Sequence, residues 1–252
     1  MKSQTKREYL RDLVTEKNRW QRPLTDAEKT LGFLGWHERG YLPHCDFPGL
    51  VQFVTFRLAD SMPEARRGEW EHLLKIEDDR EKRTKLEEYL DCGVGECHLR
   101  DSQIAKMAET ALLFEHNKSY QLLAWCVMPN HVQVLVHTLN KPLWKLVAMW
   151  KKFAAAKALA LLRTERQSSD WLVRPANTAE PNRSSAFQSF WQREYWDTFM
   201  RDEAQEKTAV RYIENNPVKA KLCSSPEQWP FCSAKFRDDF ARLVIPDETS
   251  IS

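Results

Sequence analysis

From His131 to Thr138 the chain alternates, with Val132, Val134 and Val136 on one parity and His131, Gln133, Leu135 and His137 on the other. That is the period of a strand that buries one face. Leu50–Leu58 and Tyr120–Met128 are also rich in strand formers, and Pro129-Asn130 suits a tight connection into the alternating segment. Phe190–Phe199, aromatic and β-prone, predicts a fourth strand. Elsewhere the period lengthens to that of a helix. Asp101 is placed to cap a helix running to about His116, with Ile104, Ala108, Ala111 and Leu112 inward. Leu143, Leu146, Val147, Trp150, Phe153, Ala154, Ala158 and Leu161 predict a second. Asp202 opens a third, expected to stop at Asn215 or Asn216 because Pro217 disfavours helical geometry in the residue before it. The three valines should face the helices and the core, leaving His131 and Gln133 on an opposite surface open to a ligand.

These elements sum to an α+β fold, an antiparallel sheet with helices packed on it. Residues 1–38 read as an N-terminal extension, 39–240 as one domain and 241–252 as a tail. Within the domain, the charged stretch 63–91 has leucines at helical spacing and reads as a helical insertion. The segment 168–189, with Pro175, Pro181 and several serines and asparagines, reads as a flexible loop.

With 252 residues, 42% of them hydrophobic, the chain can build one substantial core. No apolar run reaches the roughly 18 residues that span a bilayer, and no apolar segment follows the basic start, so a cytoplasmic location is expected. The six cysteines form no framework; Cys92, Cys97 and His98 have zinc-like spacing but lack a fourth ligand nearby. A net charge of +2 is uninformative, whereas its distribution is not. Lys141–Arg166 holds seven basic residues, Lys145, Lys151 and Lys152 among them, against Glu165 alone, a helix face suited to a phosphate backbone.

The chemistry concentrates in two places. Strand parity sets His131 beside Gln133, and helical spacing sets Tyr212 beside Asn216 one turn on. An imidazole, two amides and a phenol, brought together, supply three metal ligands and a hydroxyl nucleophile, enough for phosphoryl transfer through a covalent tyrosine. Mg²⁺ or Mn²⁺ suits the amide oxygens. Tyr195 is a rival nucleophile, and Arg193, Arg211 and Lys219 are candidate phosphate contacts.

The residues that carry this chemistry sit in recognisable blocks. Arg39-Gly40-Tyr41-Leu42-Pro43-His44, Gln52-Phe53-Val54-Thr55-Phe56-Arg57-Leu58, Met128-Pro129-Asn130-His131-Val132, Phe190-Trp191-Gln192-Arg193-Glu194-Tyr195, Tyr212-Ile213-Glu214-Asn215-Asn216-Pro217 and Trp229-Pro230-Phe231 follow one another. In that order they resemble the REP-associated tyrosine transposases of the HUH single-tyrosine superfamily. The resemblance implies a ferredoxin-like sheet and a metal-dependent enzyme that nicks and rejoins single-stranded hairpin DNA as a monomer or homodimer. It implies Tyr212 as nucleophile, leaving a 5′-phosphotyrosine and a free 3′-hydroxyl, with Asn216 as third ligand. One position departs: Gln133 stands where the family pattern has a second histidine. A non-catalytic hairpin-binding descendant is the alternative this departure raises, and an RNA-binding sheet is a more distant one.

Overall fold

A computed structural model describes residues 22–38, 43–61, 93–170 and 189–246, with isolated positions 68, 72, 85, 88 and 89 between them; side-chain detail in the long helix stops at 164. The insertion 63–91 and the loop 168–189 therefore lie almost wholly outside the described residues, as do most of the extension and half of the tail.

Four strands form the main sheet: β3 (Val51–Arg57), β4 (Tyr120–Val127), β5 (His131–Thr138) and β6 (Trp196–Phe199), in the spatial order β4-β5-β3-β6 and antiparallel throughout. Helix α2 (Ser102–Leu113) connects β3 to β4, and α3 (Leu143–Asp170) connects β5 to β6. This βαββαβ order with its two central strands is the ferredoxin-like arrangement, so the α+β expectation holds. A short helix α1 (Asp26–Leu31) precedes a two-stranded ribbon of β1 (Gly35–Glu38) and β2 (Pro43–Asp46). The ribbon straddles the 38/39 boundary expected between extension and domain.

The parity of β5 decides what lies on each face. Val132, Val134 and Val136 join Val54, Phe56 and Trp125 in a core covered by Ile104, Ala108 and Leu112 of α2 and by Leu146, Trp150 and Ala154 of α3. Asp101 caps α2 as expected, accepting from the backbone N–H groups of Gln103 at 2.7 Å and Ile104 at 3.2 Å. The opposite face is not open. A second core of Phe53, Leu135, Cys126 and Met128 is covered by Ala209 and Ile213 of α4 (Glu203–Lys219).

Two expected boundaries shift. Helix α4 runs on through Pro217 to Lys219. A proline in the last turn forfeits one backbone bond, and the turn still closes with Ala220 N–H donating to the Asn216 carbonyl at 2.9 Å and Leu222 N–H to the Pro217 carbonyl at 2.8 Å. The fourth strand covers only Trp196–Phe199; before it, the Lys151 ammonium donates to the carbonyls of Gln192 (2.9 Å), Arg193 (3.2 Å) and Glu194 (3.3 Å). Three successive carbonyls gathered on one cation cannot lie in a pleated ladder, where they alternate.

The C-terminal segment locks α4 in place. Trp229 donates to the Val127 carbonyl at 2.9 Å, and Val127 N–H donates to the Phe231 carbonyl at 2.9 Å, at the end of β4. Glu214 of α4 accepts from Ser233 Oγ at 2.6 Å and from Arg237 Nε at 2.9 Å. Ile213, fully buried, is the apolar counterpart of these bonds. Ile213→Ala should lower stability by about 2–4 kcal/mol, read as a fall in urea midpoint at unchanged slope.

Candidate active site

The register of the two central strands sets the floor of the site. Arg57 lies opposite His131 and Thr55 opposite Gln133, so these four side chains share the face that α4 covers. Helix α4 brings Asn216 onto them. Its Nδ2 donates to Gln133 Oε1 at 3.0 Å and lies 3.5 Å from His131 Nε2. His131, Gln133 and Asn216, expected together from the sequence, are together, and all three are buried to within 1% of full burial.

The orientation of the imidazole is set from behind. Asn130 Nδ2 donates to the Val94 carbonyl at 3.3 Å, which leaves Asn130 Oδ1 facing His131 Nδ1 at 2.8 Å. Nδ1 therefore carries the proton, and the Nε2 lone pair points toward Gln133 and Asn216. Burial, and next the charge of Arg57, hold the His131 pKa down at about 3. The ring is neutral at physiological pH, as a ligand must be.

Asn216 Oδ1 and Gln133 Nε2 are buried without a hydrogen-bond partner. Turning the Asn216 amide half a turn exchanges its nitrogen and oxygen, and amide orientation follows from whatever the neighbours demand. Three lone pairs, from His131 Nε2, Gln133 Oε1 and Asn216 Oδ1, then face one another. The set fits a hard divalent cation in donor type, although it brings no negative charge to offset the ion's dehydration.

Tyr212 lies one turn before Asn216 on α4. Its ring meets Phe53 edge-on at 6.0 Å, its phenol oxygen is buried, and the Lys219 ammonium sits 5.7 Å from the ring centroid. Tyr195 is elsewhere: it belongs to the core under α2 and α3 and packs against His44 at 4.9 Å.

The basic residues divide. Lys219 and the exposed Arg211 are on α4, and the exposed Arg193 precedes β6. Lys145 and Lys151 turn inward, Lys145 donating to the Leu31 carbonyl at 2.9 Å and Lys151 to the carbonyl cluster before β6. Lys152 is exposed, but on α3, across the sheet from Tyr212. The site also holds Arg57, for which the sequence offers one signal, its place at the end of a core strand. Cys92 lies outside the described residues, while Cys97 donates to the Gly93 carbonyl and His98 stacks near Phe190.

No family model matches the chain. A protein of Haemophilus influenzae described as a REP-associated tyrosine transposase matches 130 residues at 25% identity, 51% of this chain and 66% of that relative. The chain is similar to a REP-associated tyrosine transposase. The likeness expected from the sequence blocks thus holds, over just under two thirds of the relative's length. A solved REP-associated tyrosine transposase bound to a REP hairpin aligns over 83% of this chain and 87% of its own, at 16% identity and a TM-score of 0.42. Among the described residues no helix is long and apolar enough to cross a membrane.

The depressed His131 pKa has a measurable consequence in metal-free buffer. The unfolded chain takes up this proton below about pH 6.5 and the folded chain only near pH 3, so stability falls as pH drops through that window. The loss should approach 1.4 kcal/mol per pH unit, roughly, within the window. Urea midpoints at pH 7.5 and 5 should converge in His131→Gln relative to the parent; an equal fall in both would contradict a buried neutral imidazole.

Proposed function

We propose that this chain is a single-tyrosine DNA strand transferase that nicks and rejoins single-stranded hairpin DNA, with Tyr212 as nucleophile and His131, Gln133 and Asn216 holding Mg²⁺ or Mn²⁺. The observation that supports the reading is that Asn216, one helical turn from Tyr212 on α4, reaches Gln133 and His131 of β5. The hairpin follows from the family resemblance of the sequence blocks, and the chemistry from the side chains.

The Tyr212 oxygen loses its proton and forms a bond to phosphorus while the bond from phosphorus to the 3′ oxygen breaks. The departing oxygen takes up a proton and leaves as a 3′-hydroxyl, and the 5′ side stays on the tyrosine as a phosphodiester. Because the ester keeps the bond energy, attack by a 3′-hydroxyl reverses the step without ATP. A divalent cation, when bound, polarises the phosphate and offsets its developing charge. Arg57 and Lys219 add fixed positive charge beside the reacting centre.

A second reading has a specific observation behind it. The Asn216–Gln133 hydrogen bond already occupies Gln133 Oε1, one of the oxygens that a cation would engage. In a binding-only descendant it would simply hold α4 on the sheet. Metal affinity separates the two. By calorimetry with Mn²⁺, Gln133→Ala should bind more than about tenfold more weakly than the parent, and Gln133→His more tightly, because imidazole is the stronger donor. A parent that binds no Mn²⁺ while Gln133→His does would mark a decayed site.

The nucleophile is tested separately. Incubated with hairpin DNA and Mn²⁺, the parent and Tyr195→Phe should form a protein–DNA adduct resistant to denaturation, and Tyr212→Phe should form none. Retention in Tyr212→Phe with loss in Tyr195→Phe would reverse the assignment. Arg211→Ala and Lys219→Ala should each weaken DNA binding and reduce its dependence on salt by about one counterion.

A further inference from the structure

His131 has a lone pair to offer at Nε2 only while its proton sits on Nδ1. Within the site the opposite tautomer has the better partners. Asn216 Oδ1 is buried without one, and turning that amide would set it against Nε2, where it would accept an N–H. The metal-free site therefore draws the proton toward Nε2, and whatever keeps it on Nδ1 has to act from behind the ring. Asn130 stands there, its backbone held on both sides. Leu58 N–H donates to the Asn130 carbonyl at 2.9 Å and Leu99 N–H to the Pro129 carbonyl at 3.1 Å. With the side chain buried, one choice remains, which end of the amide faces His131.

The Val94 carbonyl makes that choice. A carbonyl accepts and never donates, so it draws Asn130 Nδ2 and turns Oδ1 toward His131 Nδ1. At 3.3 Å the bond is near the limit of hydrogen-bond length and survives only while Val94 keeps its place. Val94 keeps it because the next residue has no side chain. Gly95, at φ +100°, passes so close to Asp60 that a Cβ would lie 2.7 Å from the Asp60 carbonyl oxygen and 3.0 Å from its carbon. Glu96 N–H closes the approach, donating to Asp60 Oδ2 at 2.7 Å. Asp60 cannot give way, because it belongs to the single 3-10 turn Ala59–Ser61. There Ala59 N–H donates to the Phe190 carbonyl at 3.1 Å and Gln192 Nε2 to the Ala59 carbonyl at 2.8 Å.

We infer that Gly95 is a positioning residue for the candidate metal centre: its contact with Asp60 places the Val94 carbonyl, which sets the Asn130 amide and, through it, the His131 tautomer. The inference rests on the strand-transferase reading for the use of the Nε2 lone pair, and on the geometry alone for the tautomer. It puts a determinant of a buried ligand on an exposed glycine that has no atom in the site. An alanine there would push the loop off Asp60 and carry the Val94 carbonyl with it, freeing the Asn130 amide to turn.

The test reads the tautomer directly, in the full chain free of metal at pH 8, where burial keeps the ring neutral. Nitrogen-15 chemical shifts of histidine-labelled protein, with the His131 signals assigned by their absence from His131→Gln, show which nitrogen carries the proton. The parent should show Nδ1–H. Gly95→Ala should shift the population toward Nε2–H and weaken Mn²⁺ binding roughly tenfold by calorimetry. Asp60→Ala, which removes the acceptor of the Glu96 N–H, should shift the tautomer the same way and serves where Gly95→Ala fails to fold. Adding Asn130→Asp to either should restore both readouts, because a carboxylate only accepts and so keeps the proton on Nδ1 wherever Val94 sits. A general loosening of the loop would not be rescued in this way. A parent with Nε2–H, a folded Gly95→Ala or Asp60→Ala with the parent's tautomer, or Nε2–H persisting in the double variant overturns the inference. The wider reading fails separately. A parent with Nδ1–H, shifted by Gly95→Ala, that binds no Mn²⁺ and forms no DNA adduct would sink the transferase and leave Gly95 in its role. An adduct-forming parent whose tautomer ignores Gly95→Ala would do the reverse.

Discussion

A single buried amide pair joins the two halves of the candidate site. Asn216 reaches from α4 to Gln133 on β5, in surroundings where an unmet polar group costs about 1–3 kcal/mol. The helix can dock in few other ways. Shifted by one residue, it would take Asn216 away from Gln133 and His131 and rotate Ile213 out of the second core. Because Tyr212 is fixed to Asn216 by one helical turn, the bond that joins the two amides also places the phenol on its face of α4. Glu214, clamped by Ser233 and Arg237, makes the same docking redundant from the helix's other side.

Electrostatics in this cleft run in one direction. Burial, and next the charge of Arg57, depresses the His131 pKa, and Lys219 stands by the Tyr212 ring. Among the described residues no carboxylate takes part in the His131–Gln133–Asn216 cluster, so anything that binds there meets neutral lone pairs beside the Arg57 cation. That suits a phosphate with a cation better than a cation alone. It also frames the glutamine: with a second imidazole replaced by an amide, more of the cation's binding would have to come from the DNA phosphate itself.

Much of this was legible because strand and helix periods are strict. The limits of β5 coincide with the alternation that predicts them, and Asp101 and Asp202 cap the helices they precede. Pairing His131 with Gln133 and Tyr212 with Asn216 needed no more than those two periods. What eluded the sequence has long-range causes. Pro217 is a helix breaker by local sterics, yet one turn from an end that closes through Ala220 and Leu222 it is tolerated. Lys145 and Lys151 look like solvent-facing charges in a basic helix, and only the chain folding back across α3 supplies the carbonyls that occupy them. The β1–β2 ribbon joins residues on both sides of a composition boundary, and the role of Arg57 depends on a register that no local pattern displays.

The central claim is that one particular phenol, Tyr212 rather than Tyr195, takes the DNA strand. Its most direct test is peptide mapping by mass spectrometry of the adduct formed with hairpin DNA and Mn²⁺, after nuclease trimming. The account predicts a nucleotide attached through its 5′-phosphate to Tyr212 and an unmodified Tyr195. A nucleotide on Tyr195, or on any residue outside α4, would contradict it.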